Sequence, residues 1–155
     1  MIIRTDRLIL RPFESKDFNW FKEVAMDEEV RVLLPGVACG KDETVKVAIC
    51  LYAEGDFVND FYYVICDKNN KQVGIIIATR VSKNTIDVSY FLKKESRHNG
   101  YMVEAVQGFI NYAKTVNVLY RFRFLISEKN KASLNVVKKL DASIEKAFGH
   151  CICYL

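Results

Sequence analysis

With 155 residues, of which 50% are hydrophobic and 27% charged, the chain has an ordinary globular composition and can bury a core without disulfides or metal. This composition excludes an intrinsically disordered chain, and a net charge of +4 does not by itself indicate nucleic-acid binding. No segment has the length of a membrane span, and the first charges come too early for a secretory signal. We therefore expect one domain over residues 1–155.

The cysteines show neither a disulfide nor a metal pattern. They are Cys39, Cys50, Cys66, Cys151 and Cys153. Their number is odd, no pair has zinc-ligand spacing, and Cys151-Ile152-Cys153 alternates along a strand. We expect reduced, mostly buried thiols in a cytoplasmic protein, and no metal site.

The N-terminal half begins with a predicted strand at residues 7–11. Ser15 is a plausible N-cap for a helix whose apolar residues repeat at helical spacing. Pro35 and Gly36 break the chain, and a second helix is predicted at about residues 42–53.

The middle of the chain predicts three consecutive antiparallel strands joined by polar turns. They cover residues 61–66, 73–79 and 85–92. A helix starts after Gly100, because Met102, Ala105, Val106, Phe109 and Ala113 form one apolar stripe.

The C-terminal part predicts a strand at 120–126, a helix at 131–140 and two short strands at 143–148 and 151–155. A strand, a helix and a strand over residues 85–126 indicate a crossover between parallel strands. The fold class is therefore α/β: a mixed sheet of about seven strands with four helices, on both faces.

The segment from Val88 to Met102 carries most of the chemical information. A strand leads through a polar loop into a helix, whose first turn offers unpaired backbone N–H groups and the positive end of a dipole. Gly100 allows a ligand close to the backbone, and Lys93, Lys94, Arg97 and His98 add positive charge. A diphosphate suits this turn. By local sequence alone, an ordinary strand-to-helix bend is an equal alternative.

Four motifs resemble the GCN5-related N-acetyltransferase (GNAT) superfamily, in the branch of the ribosomal-protein alanine N-acetyltransferases. Arg97, Gly100 and Met102 fill the acyl-CoA signature Gln/Arg-x-x-Gly-x-Gly/Ala, although Met102 replaces a small residue and would crowd the diphosphate or point into the core. The other three matches are Arg4-Thr5-Asp6-Arg7-Leu8-Ile9-Leu10-Arg11-Pro12, Gly100-Tyr101-Met102-Val103-Glu104-Ala105, and Asn130-Lys131-Ala132-Ser133 followed by Lys139-Leu140-Asp141-Ala142. Asp141 and Ala142 depart from the branch's Gly-Phe.

The resemblance implies an acetyl-CoA site where two parallel strands, predicted strands 4 and 5, splay apart. The main chain of Phe91 and Leu92 would contact the pantetheine arm, and Arg97, His98, Asn99, Gly100, Tyr101 and Met102 would hold the diphosphate. Asn130 would bind the arm or cap its helix, and Ser133 would face the thiol or simply pack. Phe91 is equally a core aromatic.

The resemblance also implies how protons move. An amine must lose a proton before it attacks a thioester, and Asp87 is the candidate base, through a bridging water. The alternative for Asp87 is a solvent-facing or ion-paired acid. Many relatives protonate the thiolate with a Tyr where this chain has Val137, so Ser133, solvent or the amine itself would serve.

Three functions remain open at this point. The first is transfer of acetyl from acetyl-CoA to an amine acceptor, by a monomer or homodimer with no membrane partner. The second is a degraded relative that binds acyl-CoA without turnover. The third is a basic module for RNA or ribosomes, which is less favoured because Arg121, Arg123, Lys129, Lys131, Lys138 and Lys139 also suit an adenosine 3′-phosphate.

Overall fold

The computed structural model describes residues 1–33, 41–54 and 60–155; the predicted break at Pro35 and Gly36, and Cys39, lie outside them. The strands are β1 (Ile3–Arg4), β2 (Leu8–Arg11), β3 (Asp60–Asp67), β4 (Gln72–Arg80), β5 (Thr85–Leu92), β6 (Arg121–Ser127), β7 (Ser143–Ala147) and β8 (His150–Tyr154). The α-helices of the described residues are α1 (Phe18–Ala25), α2 (Glu28–Leu33), α3 (Asp42–Glu54), α4 (Tyr101–Val116) and α5 (Lys131–Lys139).

All strands form one sheet in the order β1-β2-β3-β4-β5-β6-β8-β7. Among these strands only β5 and β6 are parallel, because α4 crosses over between them; the other neighbours are antiparallel. The predicted mixed sheet and its parallel crossover are confirmed, with eight strands in the described residues in place of about seven.

Two elements of the N-terminal region were not predicted. The strand β1 has only two residues, too few to show alternation. The helix predicted from Ser15 is a short 3₁₀ turn and α1, followed by a separate helix, α2. Asp27 signals the start of α2, since its carboxylate accepts the Glu29 N–H at 2.9 Å, as an N-cap does. No helix of the described residues is long and apolar enough to cross a membrane.

Helices cover both faces of the sheet, as predicted. The residues of α4 and α5 pack with one face of the sheet in a core that includes Phe109, Phe122 and Phe124. On the other face, α1, α2 and α3 pack over β3, β4 and β5 around Phe21, Val45 and Phe91. Consecutive residues of β5 therefore contribute to different cores, as strand geometry requires.

The two parallel strands separate soon after they meet. They pair only at Thr85–Asp87 with Arg121–Arg123, although β5 runs on to Leu92 and β6 to Ser127. Beyond Asp87, β5 is still paired with β4 on its other side. The backbone of residues 88–92 thus has a free edge toward β6, which confirms the predicted splay between the fourth and fifth predicted strands.

Candidate active site

A cavity of about 900 Å³ opens where β5 and β6 diverge. Its lining comes mainly from the end of β5, the turn before α4 with the first turn of that helix, and α5 with the loop before it; Glu29 of α2 also lines it. Every residue that the sequence assigned to cofactor binding lines this cavity except Asn99. They are Phe91, Leu92, Arg97, His98, Gly100, Tyr101, Met102, Asn130 and Ser133.

The turn before α4 has an unusual backbone. Gly100 is the N-cap with φ +76°, and His98 also has a positive φ of 66°. Such left-handed residues let successive N–H groups converge on an anion. Because the first N–H groups of a helix have no intrahelical acceptor, those of Tyr101, Met102 and Val103 are available to a ligand. Backbone conformation and helix dipole therefore both favour an anion here.

Two cations that were expected to surround this turn are already paired with carboxylates. Arg97 donates from Nη2 to Glu29 of α2 at 2.7 Å and from Nε to the Leu92 carbonyl at 2.9 Å. Lys93 contacts Glu23 of α1 at 3.1 Å. The hydrogen bond to Glu23 raises the pKa of Lys93. Glu29 itself lines the cavity, so the anion site contains an acid that the sequence did not reveal.

Unpaired positive charge comes instead from the opposite wall. Lys129, Lys138 and Lys139 line the cavity and are exposed, and none of them makes an ion pair with another described residue. Asn130 caps α5, because its Oδ1 accepts the Ser133 N–H at 3.0 Å. The cap uses the amide oxygen of Asn130, and the residue also lines the cavity.

The side chains of Met102 and Asn99 are held by contacts within the protein. Met102 is 6% exposed and packs in the core shared with α4, so of the two alternatives for its bulk the structure favours the core. Asn99 donates from Nδ2 to the Arg97 carbonyl at 3.1 Å, and its own carbonyl accepts from Arg7 at 2.9 Å. Asn99 thus shapes the turn rather than lining the cavity.

Asp87 lies in the paired part of β5, outside the cavity lining. Both carboxylate oxygens accept from Arg123 of β6, at 2.6 and 2.7 Å. This hydrogen bond raises the pKa of Arg123. Of the two alternatives for Asp87, the geometry corresponds to the ion-paired acid.

Tyr90 is a cavity residue that the sequence did not single out. Its ring packs against Phe124 of β6 at 6.2 Å between centroids, and its hydroxyl donates to the Ser133 carbonyl at 3.1 Å. The phenol thus reaches from one splayed strand to the helix beyond the other. Burial raises the pKa of Tyr90, so the hydroxyl keeps its proton at neutral pH. Val137, one turn after Ser133, is fully buried and offers no such group.

These features define a site for an extended, anionic ligand: a polar turn for phosphate, a free strand edge for an amide-containing chain, and lysines at the mouth. The described residues contain no group of three or more His, Cys, Asp or Glu side chains that could hold a metal ion. His98 and His150 are both exposed.

Comparison with known proteins agrees with this class of site. Residues 7–143 match the model of the acetyltransferase (GNAT) domain, and the chain belongs to this family of acetyltransferases, whose fold binds acetyl-CoA. An uncharacterized N-acetyltransferase of Bacillus subtilis, YnaD, is 27% identical over 153 residues, which is 98% of this chain and 88% of the relative.

Solved structures share the fold. A ribosomal-protein-S5-alanine acetyltransferase from Vibrio fischeri superposes with a TM-score of 0.81 at 20% identity, over 100% of this chain and 96% of the other. RimL, a ribosomal L7/L12 α-N-protein acetyltransferase in complex with coenzyme A, gives a TM-score of 0.80 at 17% identity, over 99% and 96%. At these identities the likeness concerns the fold alone.

Proposed function

We propose that this acetyltransferase, as one domain over residues 1–155, moves the acetyl group of acetyl-CoA to a primary amine by direct attack in a ternary complex. The observation that supports this most is the cavity at the splay, which joins an anion-binding turn to a free strand edge. The amine belongs to a protein N-terminus or a small molecule. Free, buried thiols at Cys66, Cys151 and Cys153 agree with the cytoplasmic location expected from the sequence.

The cofactor would be held mainly by main-chain groups. The N–H groups at Gly100, Tyr101 and Met102 bind the diphosphate, as at other helix N-termini. The edge of Phe91 and Leu92 pairs with the pantetheine arm, and Asn130 donates to it from its amide nitrogen. Lys129, Lys138 and Lys139 attract the remaining phosphate.

The amine proton would leave through water toward Asp87. Arg123 holds both Asp87 oxygens, so this carboxylate is oriented toward β6. Asp87→Asn separates the two roles. If Asp87 is the base, kcat/KM loses its dependence on the ionisation of that group and falls about 100-fold or more; if Asp87 only pairs with Arg123, stability falls while the pH–rate profile keeps its shape.

Tyr90 would donate a proton to the departing thiolate. When the new amide bond forms and the carbon–sulfur bond breaks, sulfur takes up one proton and the phenolate regains one from solvent. Tyr90→Phe keeps the ring against Phe124 and removes only the hydroxyl, so kcat should fall about tenfold or more with little change in KM for acetyl-CoA. Ser133→Ala tests the alternative donor; a larger loss there than in Tyr90→Phe would reverse the assignment.

A direct assay tests the activity itself. Acetyl-CoA consumption is followed chromatographically with a panel of peptide N-termini, polyamines and amino acids. Turnover that depends on the amine supports the proposal. Tight coenzyme A binding without turnover on any amine would identify a binding-only relative instead. Salt-sensitive RNA binding that persists at saturating coenzyme A would favour the ribosome module.

A further inference from the structure

Residues near the N-terminus make hydrogen bonds to the turn before α4 and to the first residues of that helix. Glu104, one turn into α4, accepts three hydrogen bonds from the segment between β1 and β2. Thr5 Oγ1 donates to Glu104 Oε1 at 2.6 Å, the Arg7 backbone N–H donates to the same oxygen at 2.7 Å, and Arg7 Nε donates to Oε2 at 2.7 Å. These bonds join residues separated by 97 and 99 positions in the sequence.

Arg7 also contacts both neighbours of Gly100. Its Nη1 donates to the Asn99 carbonyl at 2.9 Å, and its guanidinium lies 5.0 Å from the centre of the Tyr101 ring. Arg7 Nη2 would be 3.4 Å from a Cβ at position 100. Neither Arg7 nor Glu104 lines the cavity, so these contacts hold the turn from outside the ligand site.

The turn needs such support because its backbone is unfavourable. His98 has a positive φ, which costs a residue with a side chain free energy that the surroundings must offset. Burial opposes ionisation of Glu104, but its hydrogen bonds from Thr5 and Arg7 outweigh this and lower the pKa of the carboxylate. The Glu104 carboxylate is therefore ionised at neutral pH and pairs with the Arg7 guanidinium.

We infer that Arg7 and Glu104 are positioning residues for diphosphate recognition: they hold the amides of residues 98–102 in the binding arrangement without touching the ligand. This inference rests on the proposed function, since it assumes that a diphosphate binds at Gly100. It also joins two of the sequence motifs, Arg4–Pro12 and Gly100–Ala105, into one hydrogen-bonded unit. A preorganised turn loses less entropy when the ligand binds.

Two conservative variants test the inference. Arg7→Lys keeps the charge but cannot reach Glu104 and Asn99 together, and Glu104→Gln keeps the shape but loses the charge. Each should weaken coenzyme A binding about tenfold, because the ligand must then order the turn itself, while S-acetylpantetheine, which lacks the diphosphate, binds as before. Arg4→Lys is the matched control, since Arg4 is an exposed cation of the same sequence motif, at the end of β1.

Two readouts separate the outcomes. Amide hydrogen exchange of residues 98–102 in the ligand-free protein should be faster in both variants than in wild type and in Arg4→Lys. Unchanged exchange, or an equal loss of affinity for coenzyme A and S-acetylpantetheine in step with a lower melting temperature, would overturn the inference. A wild-type protein that binds neither ligand would count against the proposed function, and the exchange data would still decide the role of Arg7 and Glu104.

Discussion

Single charged residues decide how attractive the cavity is to an anion. Glu29 lies on the cavity wall and neutralises Arg97, the only Arg of the acyl-CoA signature. A diphosphate that approaches Gly100 must therefore share Arg97 with a carboxylate. The pair is partly exposed, so salt screens it and it contributes little to folding stability.

Glu29→Gln should tighten coenzyme A binding about threefold at low ionic strength, because it removes a negative charge beside the phosphates and frees Arg97. The gain should shrink at high salt. Titration calorimetry at two salt concentrations measures both effects. Glu28→Gln, the neighbouring exposed acid of α2, is the control, and equal gains in the two variants would mean that only net charge matters.

At the level of elements, the free edge of β5 depends on how β4 and β5 pack at the end of β5, beyond its last pair with β6 at Asp87. Gly74 of β4 lies opposite Leu92, and a Cβ on Gly74 would overlap the carbonyl oxygen of Phe91. The glycine thus lets the two backbones come close just where the free edge of β5 lines the cavity. This requirement concerns close approach and not a positive φ.

Gly74→Ala should destabilise the protein by about 1–3 kcal/mol, as overpacking does, and should also weaken coenzyme A binding because β5 is displaced at Phe91. Chemical unfolding and a binding titration on the same sample measure the two changes. Gly149→Ala is the comparison: nothing lies within 4 Å of its Cβ, although its φ of +78° adds backbone strain. Unchanged ligand affinity in Gly74→Ala would show that the close approach does not shape the site.

A buried ion pair connects β2 to the first helical segment. Arg11 donates to both Asp17 oxygens at 2.7 Å, and Asp17 also accepts from Gln72 of β4 at 2.9 Å. Its side chain is fully buried, and the hydrogen bond to Asp17 raises the pKa of Arg11. The pair connects the start of α1 to the sheet, and α1 packs in the same core as Phe91.

Asp17→Asn should lower the free energy of unfolding by about 3 kcal/mol, because it leaves the Arg11 charge buried without its partner. Urea unfolding measures the change. Asp42→Asn, which breaks an exposed pair with Lys22, should change stability very little. If the two variants lost equal stability, burial would not explain the contribution of the Arg11–Asp17 pair to the free energy of unfolding.

At the scale of the whole molecule, the carboxylates of Asp17 and Glu104 make the free energy of unfolding depend on pH in the acid range. Burial opposes ionisation of Asp17 and Glu104, but hydrogen bonds from Arg11 and Gln72 to the first, and from Thr5 and Arg7 to the second, lower both pKa values from 3.8 and 4.5. A depressed pKa in the folded state stabilises the fold above the unfolded value, and this contribution is lost as the pH falls through the folded value.

The free energy of unfolding should therefore be steady near neutrality and decrease from about pH 5 downward. Denaturant unfolding at a series of pH values measures this curve. In Glu104→Gln the decrease should be shallower, since one proton fewer is taken up on unfolding. An identical slope in wild type and variant would show that Glu104 has the same pKa folded and unfolded.

Local patterns predicted most of the fold because hydrophobic period and turn residues act over short stretches. The apolar stripe from Met102 to Ala113 and the glycine at position 100 identified α4 and its turn, and the crossover through α4 required parallel strands. The strand β1 and the helix α2 were not predicted because they are too short to show a hydrophobic periodicity. Tyr90 was not predicted as a site residue because a Tyr in a strand usually indicates packing.

The sequence by itself predicted the mixed sheet, its parallel crossover and the helix that starts after Gly100, since each follows from local periodicity or turn residues. Its four motifs, by their resemblance to the GNAT family, implied the divergence of β5 and β6. The tertiary structure alone decided which charges stay free. Arg97 meets Glu29 across 68 positions, Asp87 meets Arg123 across 36, and Arg7 meets Glu104 across 97. An ion pair depends on distance in space, and no local pattern records which distant residues the folded sheet brings together.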